Sequence, residues 1–248
     1  MSYTFALDLV AATAQSLGWD DAAARTAFLT NGTIDPSLPV PKSPRIPMLT
    51  ARRLNGGERM ALNCALALLG DDTQALVFSS HHSELERNHR ILTALAEQRS
   101  VSPTDFTLSV NNSAPGNLTI LTKRPLTVSA LSASHESFAA ALTEAYLMLQ
   151  DQYEEVLVVD CDGAVPQFYH PHLAAGEFTL PFASAWRLRR GSNLQVELKP
   201  ATAAAQDLAL PASLAAWRAL QTTGQVQLNL PQHHLTLTMT PEASINWV

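Results

Sequence analysis

The sequence predicts an α/β fold, and three neighbouring segments carry this prediction. The run Glu155–Asp160 is short, apolar and rich in β-branched residues, which is typical of a buried strand. Before it, the segment from about Ser134 to Leu149 has apolar residues at helical spacing. The segment Leu126–Ser129 has the pattern of another short strand, and small residues separate it from the helix. Strand, tight turn, helix and buried strand in this order indicate an α/β domain.

The composition limits the classes of protein to which the chain can belong. Its 248 residues are enough for one large domain or two small ones. A formal net charge of -6 argues against nucleic acid as a partner, because phosphate binding needs clustered Lys and Arg. The sequence has no run of about eighteen apolar residues, so no membrane span is expected. The first residues lack a basic stretch, which predicts no secretory signal.

Two cysteines, Cys64 and Cys161, lie in apolar segments and form neither a disulfide framework nor a metal-binding pattern. Each is expected to be a small buried hydrophobic residue rather than a nucleophile. The reducing cytoplasm is the simplest location for such a chain.

The first third of the chain is predicted to contain a buried helix and a proline-rich segment. Phe5–Thr13 fits either a strand or a helix, and Trp19–Leu29 fits a helix. Residues 32–47 contain five prolines, so they are expected to be extended over the surface, without being a domain linker. Gly57–Leu69 is apolar on most faces and is predicted to be a nearly buried helix.

The middle of the chain is predicted to alternate strands and helices. Gln74–Ser79 fits a strand, and Ser83 with Glu86 forms a capping-box pattern at the start of a helix that extends to Ala96. Val101–Phe106 is expected to be a turn. Two strands are expected next, Thr107–Asn112 and Asn117–Thr122, with a break at Ser113–Gly116.

The last third is predicted to be mostly strands. Pro166–Gly176 is expected to be a loop, and Pro181–Arg190 with Leu194–Leu198 a hairpin around Gly191 and Ser192. Its inward-facing residues should be Ala183, Ala185 and Leu188. The final elements are expected to be a helix and two strands: Pro211–Leu220, Gln225–Leu230 and His234–Met239.

The turn between the strand and helix of the central unit is a position where several enzyme families hold a nucleophile, because backbone N–H groups there can bind an oxyanion. This turn, the elbow, offers Ser132, Ser134 and His135 but no cysteine. Adjacent helical residues do not face each other, so a serine nucleophile would need a histidine and an acid from elsewhere. Ser134 as a helix N-cap is the simpler interpretation.

The histidines give no clear metal site in the sequence. His170 and His172 have the spacing of two ligands, and Asp160, Cys161 and Asp162 precede them, but no third ligand follows from the pattern. The pairs His81–His82 and His233–His234 would point to opposite sides of a strand. The sequence therefore predicts no metal and no cofactor.

An ordered set of motifs resembles the N-terminal half of β-ketoacyl synthases. Ser102-Pro-x-x-Phe106 leads to Asn112-x-x-x-Gly116, and a strand then enters a buried helix over 129–145. The resemblance covers about Leu54 to Asp162. It implies a thiolase-like, layered α/β/α fold with a mixed sheet, forming a single ketosynthase-like N-terminal-half domain over residues 1–248. The most similar variant is the short chain-length factor of type II systems, especially those that make aryl polyene pigments.

The departures from the family concern its catalytic groups. A synthase needs a thiolate nucleophile, and residues 129–137 contain no cysteine; Ser134 or His135 occupies that place. A synthase also uses two histidines of its C-terminal half, and this sequence ends at Val248. The resemblance therefore implies a catalytically inactive, non-catalytic chain-length-factor subunit that caps the acyl tunnel of a catalytic ketosynthase in a heterodimer. The alternatives are a serine hydrolase or acyl-thioesterase that uses Ser134, and a free-standing acyl-binding scaffold.

The resemblance also implies where partners bind. The strand at 126–130 matches the one that pairs across the subunit interface of the family, and 79–92 matches the segment that lines the tunnel end. Bulk there limits chain length, because overpacking costs about 1–3 kcal/mol. Acyl carrier protein is expected as a transient partner, docking hypothetically on Arg187, Arg189 and Arg190. The interface candidates are Leu126, Thr127, Val128, Ser129 and Ala130. The gate candidates are His82, Leu85, Glu86, His89 and Leu92.

Overall fold

The computed structural model describes residues 2–201 and 209–248 and contains one mixed β-sheet. The described strands are β1 (Tyr3–Ser16), β2 (Ala75–Ser79), β3 (Thr127–Leu131), β4 (Glu155–Asp162), β5 (Phe182–Pro200), β6 (Gln225–Asn229), β7 (His233–Met239) and β8 (Asn246–Trp247).

The described helices are α1 (Ala22–Asn31), α2 (Met48–Ala51), α3 (Gly56–Leu68), α4 (Leu85–Ala96), α5 (Pro103–Thr107), α6 (Ser113–Thr122), α7 (Ser137–Gln150) and α8 (Ala212–Thr223). A 3₁₀ helix covers Gln167–His172, within the segment predicted to be a loop. None of the helices in the described ranges has both the length and the apolar character needed to cross a bilayer.

The sheet has a parallel part and an antiparallel part. Its strand order is β3-β2-β4-β5-β1-β8, and β7 pairs with both β5 and β6. Strands β3, β2 and β4 are parallel, whereas β5 is antiparallel to β4, β1 and β7. The order strand, turn, helix, buried strand predicted for the central unit is β3, the elbow, α7 and β4, and the prediction of a mixed sheet is confirmed.

Helices cover both faces of the sheet, and alternate residues of β4 therefore point into two separate cores. Val156 and Val158 belong to the core beneath α7 and α8, and Leu157 and Val159 to the core beneath α3 and α6. Every residue of β4 is buried, which explains its continuous apolar sequence. The layered α/β/α arrangement is therefore confirmed, as is the burial of α3.

The hairpin predicted at Gly191–Ser192 is wrong, because β5 is one strand that continues through this point. Its partner β1 is long enough to pair with both halves of β5, and the register shifts between Leu7 and Asp8. At this bulge the Asp8 carboxylate accepts hydrogen bonds from the backbone N–H groups of Ser192 and Asn193, at 2.8 and 3.0 Å. A Cβ on Gly191 would lie 1.9 Å from Asp8, so only glycine fits. The predicted inward residues Ala183, Ala185 and Leu188 are buried.

The turn predicted at Val101–Phe106 and the strands predicted at Thr107–Asn112 and Asn117–Thr122 are also wrong. The chain forms α5 and α6 there, with Ser102 as the N-cap of α5. Pro115 lies in the first turn of α6, where its missing N–H removes no helical hydrogen bond. Leu118 is fully buried in the core beneath α3. Tertiary packing therefore overrides the strand-like local pattern.

The capping box predicted at Ser83 and Glu86 is wrong, and one occurs instead at the start of α3. Ser83 has a φ of 55° and lies before the first turn of α4, whose N-cap is Glu84. At α3, Asn55 Oδ1 accepts from the Glu58 N–H at 2.8 Å, and Glu58 Oε2 accepts from the Asn55 N–H at 3.0 Å. The Arg87 guanidinium pairs with the same Glu58 oxygen at 2.7 Å. This buried ion pair joins α4 to α3.

The proline-rich segment lies against the fold as expected. Residues 32–47, all of which the structure describes, form turns but no helix or strand. Ile46 is buried, and Val40 packs against the core beneath α3. Before it, the segment for which the sequence allowed a strand or a helix is the long strand β1.

Candidate functional site

The elbow between β3 and α7 is shaped by a strained serine. Ser134 has a φ of 55°, in the left-handed region that few residues other than glycine occupy. The helix begins at Ser137, later than predicted, and its N-cap is Glu136. The prediction that Ser134 caps the helix is therefore wrong. Its Oγ lies instead 3.2 Å from His81 Nε2.

His81 and His82 lie together beside the elbow, contrary to the prediction that they point to opposite sides of a strand. Strand β2 ends at Ser79, so both histidines belong to the following turn. Their rings stack with centroids 4.0 Å apart, and the ring of His135 lies 4.4 Å from that of His81. Three imidazoles are thus packed against one another at the carboxyl end of the parallel strands.

Glu177 brings a carboxylate to these rings from the segment before β5. Its Oε1 lies 3.6 Å from His81 Nδ1, and its Oε2 lies 3.5 Å from His135 Nε2. The Glu177 side chain is 11% exposed, so water screens these contacts only in part.

Two buried carboxyl groups at the end of β4 support the turn. Asp162 accepts from the backbone N–H groups of His81 and His82, at 3.1 and 2.8 Å. Asp160 accepts from the hydroxyls of Ser79 and Ser213, each at 2.6 Å. Burial raises the pKa of Asp160 to about 7 and that of Asp162 to about 6, because it penalises the charged form and the hydrogen bonds compensate in part.

The cavity at the elbow is small. Its volume is about 50 Å³, and its walls include the three histidines, Glu177 and both aspartates. This space holds about four water molecules, whereas pockets for organic ligands usually occupy about 300–1,000 Å³. An acyl chain of several carbons does not fit in this cavity of the isolated chain.

The contacts from Ser134 to His81 and from His81 to Glu177 have the spatial arrangement of a serine hydrolase triad. Two features argue against such a role. The distance of 3.6 Å between His81 and Glu177 is too long for a hydrogen bond that orients the ring. Burial, with the neighbouring imidazoles, lowers the pKa of His81 to about 4. A general base works best when its pKa lies near the working pH, so His81 is a poor base in this state.

Neither cysteine lines the elbow cavity, although Cys161 lies between Asp160 and Asp162 on β4. Both belong to the core beneath α3, and Cys64 is 1% exposed. Burial raises the pKa of each thiol, which disfavours the reactive thiolate. The chain therefore brings no cysteine nucleophile to this site.

Comparison with known proteins places this geometry in a family. The family model described as "Beta-ketoacyl synthase, N-terminal domain" matches residues 19–247. The chain belongs to the β-ketoacyl synthase family. No curated protein sequence matches it significantly.

Solved ketosynthase structures have the same fold. One chain of the complex of the ketosynthase ApeO with its chain length factor ApeC, from Xenorhabdus doucetiae, is 36% identical with a TM-score of 0.87. The alignment covers 94% of the present chain and 99% of that one. The ishigamide ketosynthase/chain length factor is 19% identical with a TM-score of 0.59, over 80% of this chain and 68% of that chain, which shows a shared fold alone.

The predicted gate residues of this ketosynthase homologue lie in two places. His82 lines the elbow cavity, and the other four are on α4. The His89 ring stacks on Phe168 of the 3₁₀ helix at 5.2 Å, while Glu86 forms an ion pair with Arg90 at 3.2 Å. Leu92 is 57% exposed. The structure therefore brings one gate candidate to the elbow and leaves the other four on a neighbouring helix.

The predicted interface residues lie at an edge of the sheet. Strand β3 pairs with β2 on one side and with no other strand of the described ranges on its other side. Its residues Thr127, Val128 and Ala130 are exposed, and Leu126 and Ser129 are half-buried. An unpaired edge strand is a template for pairing with another chain.

The predicted basic cluster is largely neutralised by acidic groups. Arg189 Nε lies 2.8 Å and Arg187 Nε 3.8 Å from the same oxygen of the buried Glu155. Arg189 also pairs with Asp72 at 3.0 Å, and Arg190 donates to the carbonyl of Tyr153. Two of the three arginines thus balance the charge of Glu155 and Asp72.

Sequence reasoning missed two features of the site. Glu177 lies in an irregular segment far from the elbow in sequence, and no local pattern marks it as a partner of His81. The sequence pattern relates Asp160 and Asp162 only to the histidine pair His170 and His172, and not to the elbow. Polar residues at the ends of β2 and β4 were the available signal, because the carboxyl ends of parallel strands meet at one edge of a sheet.

We expect Asp160→Asn to flatten the pH dependence of stability. Between the ordinary carboxyl pKa of 3.8 and the folded value of about 7, the folded chain retains a proton that the unfolded chain loses. Wild-type stability should therefore fall as pH rises through this range, by roughly 4 kcal/mol at most from this group. Asparagine does not titrate and can bond to both serines.

Urea denaturation between about pH 5 and pH 8 measures this effect. The matched control is Asp71→Asn, at an exposed aspartate, which should leave the wild-type slope unchanged. A slope that is equally steep in Asp160→Asn would contradict the assignment.

Proposed function

We propose that this chain is the non-catalytic, chain-length-determining subunit of a type II ketosynthase heterodimer, in which it completes and caps the acyl tunnel of a catalytic partner. The observation that carries the proposal is the elbow itself. Where a ketosynthase needs a thiolate, this chain has Ser134 against His81, and the chain's two cysteines are buried elsewhere. Carbon–carbon bond formation through an acyl thioester intermediate needs a sulfur that can both accept and release the acyl group.

The size of the elbow cavity agrees with this role. Stacked imidazoles fill the space in front of Ser134, and about 50 Å³ remains. An acyl chain of several carbons on Ser134 would exceed this volume and would extend out of the cavity. The acyl chain is therefore expected on the partner, with this subunit as part of the wall.

The solved relative supports a paired assembly. Its structure is by name a ketosynthase in complex with its chain length factor, and the matched chain is spanned almost completely by the present one. The ishigamide structure also carries both names. We infer that this chain corresponds to the chain length factor of such a pair, in polyene, polyketide or fatty-acid-like biosynthesis.

The surface around β3 has the properties of a subunit interface. Val128 on β3 itself and Leu147 on α7, the helix that packs against β3, are exposed large hydrophobic residues. Exposed apolar groups combined with an unpaired strand edge favour association with another subunit. Acyl carrier protein is a further proposed partner, binding the assembled pair transiently. A third structure is by name a type II acyl-carrier protein in complex with its ketosynthase. The matched chain is 12% identical, with a TM-score of 0.53 over 74% of this chain and 63% of that one.

Hydrolysis of an acyl thioester by Ser134 is a second candidate, and the contact of 3.2 Å between Ser134 Oγ and His81 Nε2 favours it. The long distance between His81 and Glu177 and the low pKa of His81 argue against it. Release of free acid by the chain alone, abolished in Ser134→Ala, would establish this activity. A free-standing acyl-binding scaffold would instead bind acyl groups without forming a stable complex with a ketosynthase.

We expect Val128→Lys to weaken the heterodimer at least tenfold, equivalent to about 1.4 kcal/mol. Val128 lies on the exposed strand β3, so lysine places a charge in the proposed interface without disturbing the core of this chain. Co-purification and calorimetric titration with the ketosynthase partner measure the loss.

The matched control for this experiment is Tyr3→Lys. Tyr3 is also an exposed apolar residue, but it lies on β1, four strands along the sheet from β3. Unchanged affinity in Val128→Lys, or an equal loss in Tyr3→Lys, would rule out the β3 edge as the interface.

The gate is tested by changing the bulk of Leu85 in the reconstituted pair. Leu85 is half-buried at the first turn of α4. If α4 limits the tunnel, Leu85→Ala should shift products to longer chains and Leu85→Trp to shorter ones. The reason is that the volume at the tunnel end limits how many two-carbon units the acyl chain can gain. Mass spectrometry of carrier-bound products measures their length.

Leu95→Ala, in the last turn of the same helix, is the control and should leave the product distribution unchanged. Identical product lengths in all three variants would exclude Leu85 from the gate.

A further inference from the structure

The side chains beside the elbow have the composition of a zinc site. One ligand atom each from His81, His82 and Glu177 lies within 4.8 Å of the others. His135 adds a third imidazole, with its Nε2 3.5 Å from the second oxygen of Glu177. We propose that these four residues, the His₃Glu cluster, bind one Zn²⁺ ion. The inference stands on these side chains and does not depend on the proposed chain-length role.

His82 supplies an independent sign of a missing ligand. Its Nε2 atom is buried and has no hydrogen-bonding partner among the described residues. Leaving a buried polar atom unpaired usually costs about 1–3 kcal/mol. The ring stacks on His81 and lines the cavity, so a metal bond to Nε2 after rotation of the ring would satisfy this atom.

The donor set of the cluster is suited to a cation. Imidazole nitrogens and carboxylate oxygens are common zinc ligands. Glu177 adds a carboxylate, and Asp162 holds the backbone of both histidines in place.

Zinc binding requires a local contraction of the cluster. Tetrahedral ligand atoms at ordinary zinc bond lengths lie about 3.3 Å apart, so the separations among His81, His82 and Glu177, at most 4.8 Å, have to close by up to about 1.5 Å. His135 also has to move toward these three residues. The stack of His81 on His82 must open, because the nitrogen lone pairs of two parallel rings point in parallel directions and do not converge on one ion. All four residues are only half-buried, so the core does not enclose their side chains.

The ligand count indicates what the ion would do. Four protein ligands complete a tetrahedral shell and leave no open position, as in structural zinc sites. The ion would connect the turn after β2, the elbow and the segment before β5, which contribute His81, His135 and Glu177 respectively. Glu177 faces His81 Nδ1, and Ser134 faces His81 Nε2. Zinc on Nδ1 would leave Nε2 carrying the ring proton, so His81 could not act as a base for Ser134 while zinc is bound.

The test is a chelator-buffered Zn²⁺ titration of the full chain without an affinity tag. We expect one Zn²⁺ per chain and a higher melting temperature in its presence. Glu177→Gln and His135→Asn should each weaken binding at least tenfold. The matched control is His172→Asn, at an exposed histidine outside the cluster, which should bind as the wild type does.

Co²⁺ substitution provides a second readout, since tetrahedral Co²⁺ has a characteristic visible absorption that both variants should lose. Circular dichroism establishes that each variant is folded, and His135 is the mildest ligand to replace because it lies at the outer side of the cluster, with 34% of its side chain exposed. A chain that takes up no Zn²⁺, or uptake that survives both Glu177→Gln and His135→Asn, overturns the proposal.

Discussion

The site depends on the hydrogen bonds that Asp162 accepts at the end of β4. Its carboxylate binds the hydroxyl of Ser80 and the backbone N–H groups of His81 and His82, so it fixes the turn that follows β2. Ser80 in turn accepts, through its carbonyl, a hydrogen bond from Ser137 at the start of α7. These hydrogen bonds connect the end of β4, the turn after β2 and the start of α7, which follows the elbow. Burying a carboxyl group costs solvation free energy, and the hydrogen bonds that Asp162 accepts compensate for part of this cost.

This arrangement places imidazole and carboxylate groups at the elbow, and neither cysteine lines its cavity. The strained backbone of Ser134 and the helix that follows are the scaffold on which a nucleophile is usually presented. The groups beside it are imidazoles, and burial lowers the pKa of both His81 and His82. We propose that the exposed edge of β3 provides the surface through which this chain binds a catalytic subunit.

The parts of the fold that were predictable are those with strong local patterns. Strand β4 is apolar throughout because both of its faces are buried, and α3 is apolar for the same reason. Prediction failed where distant partners decide the structure. Gly191 and Ser192 resemble a hairpin turn, yet β1 pairs with β5 on both sides of them. The Asp8 carboxylate accepts hydrogen bonds from the backbone N–H groups of Ser192 and Asn193. The segment that forms α6 has strand-like residues but buries Leu118 against another helix.

The candidate site was only partly predictable for the same reason. The elbow and its lack of cysteine follow from the sequence, since they lie within one continuous segment. The convergence of His81 and Glu177 does not, because it results from the meeting of the turn after β2 with the segment before β5, which are distant in sequence. Local spacing suggested that adjacent histidines diverge, and the end of β2 at Ser79 removes the strand geometry on which that expectation rested.

The central claim is that this subunit forms a wall of the acyl tunnel and does not carry the acyl group. Intact-mass spectrometry of the chain and its ketosynthase, incubated separately and together with acyl carrier thioester, tests it most directly. The account predicts that the acyl mass appears on the ketosynthase and that this chain remains unmodified under every condition. An acyl adduct on this chain that disappears in Ser134→Ala would contradict the account.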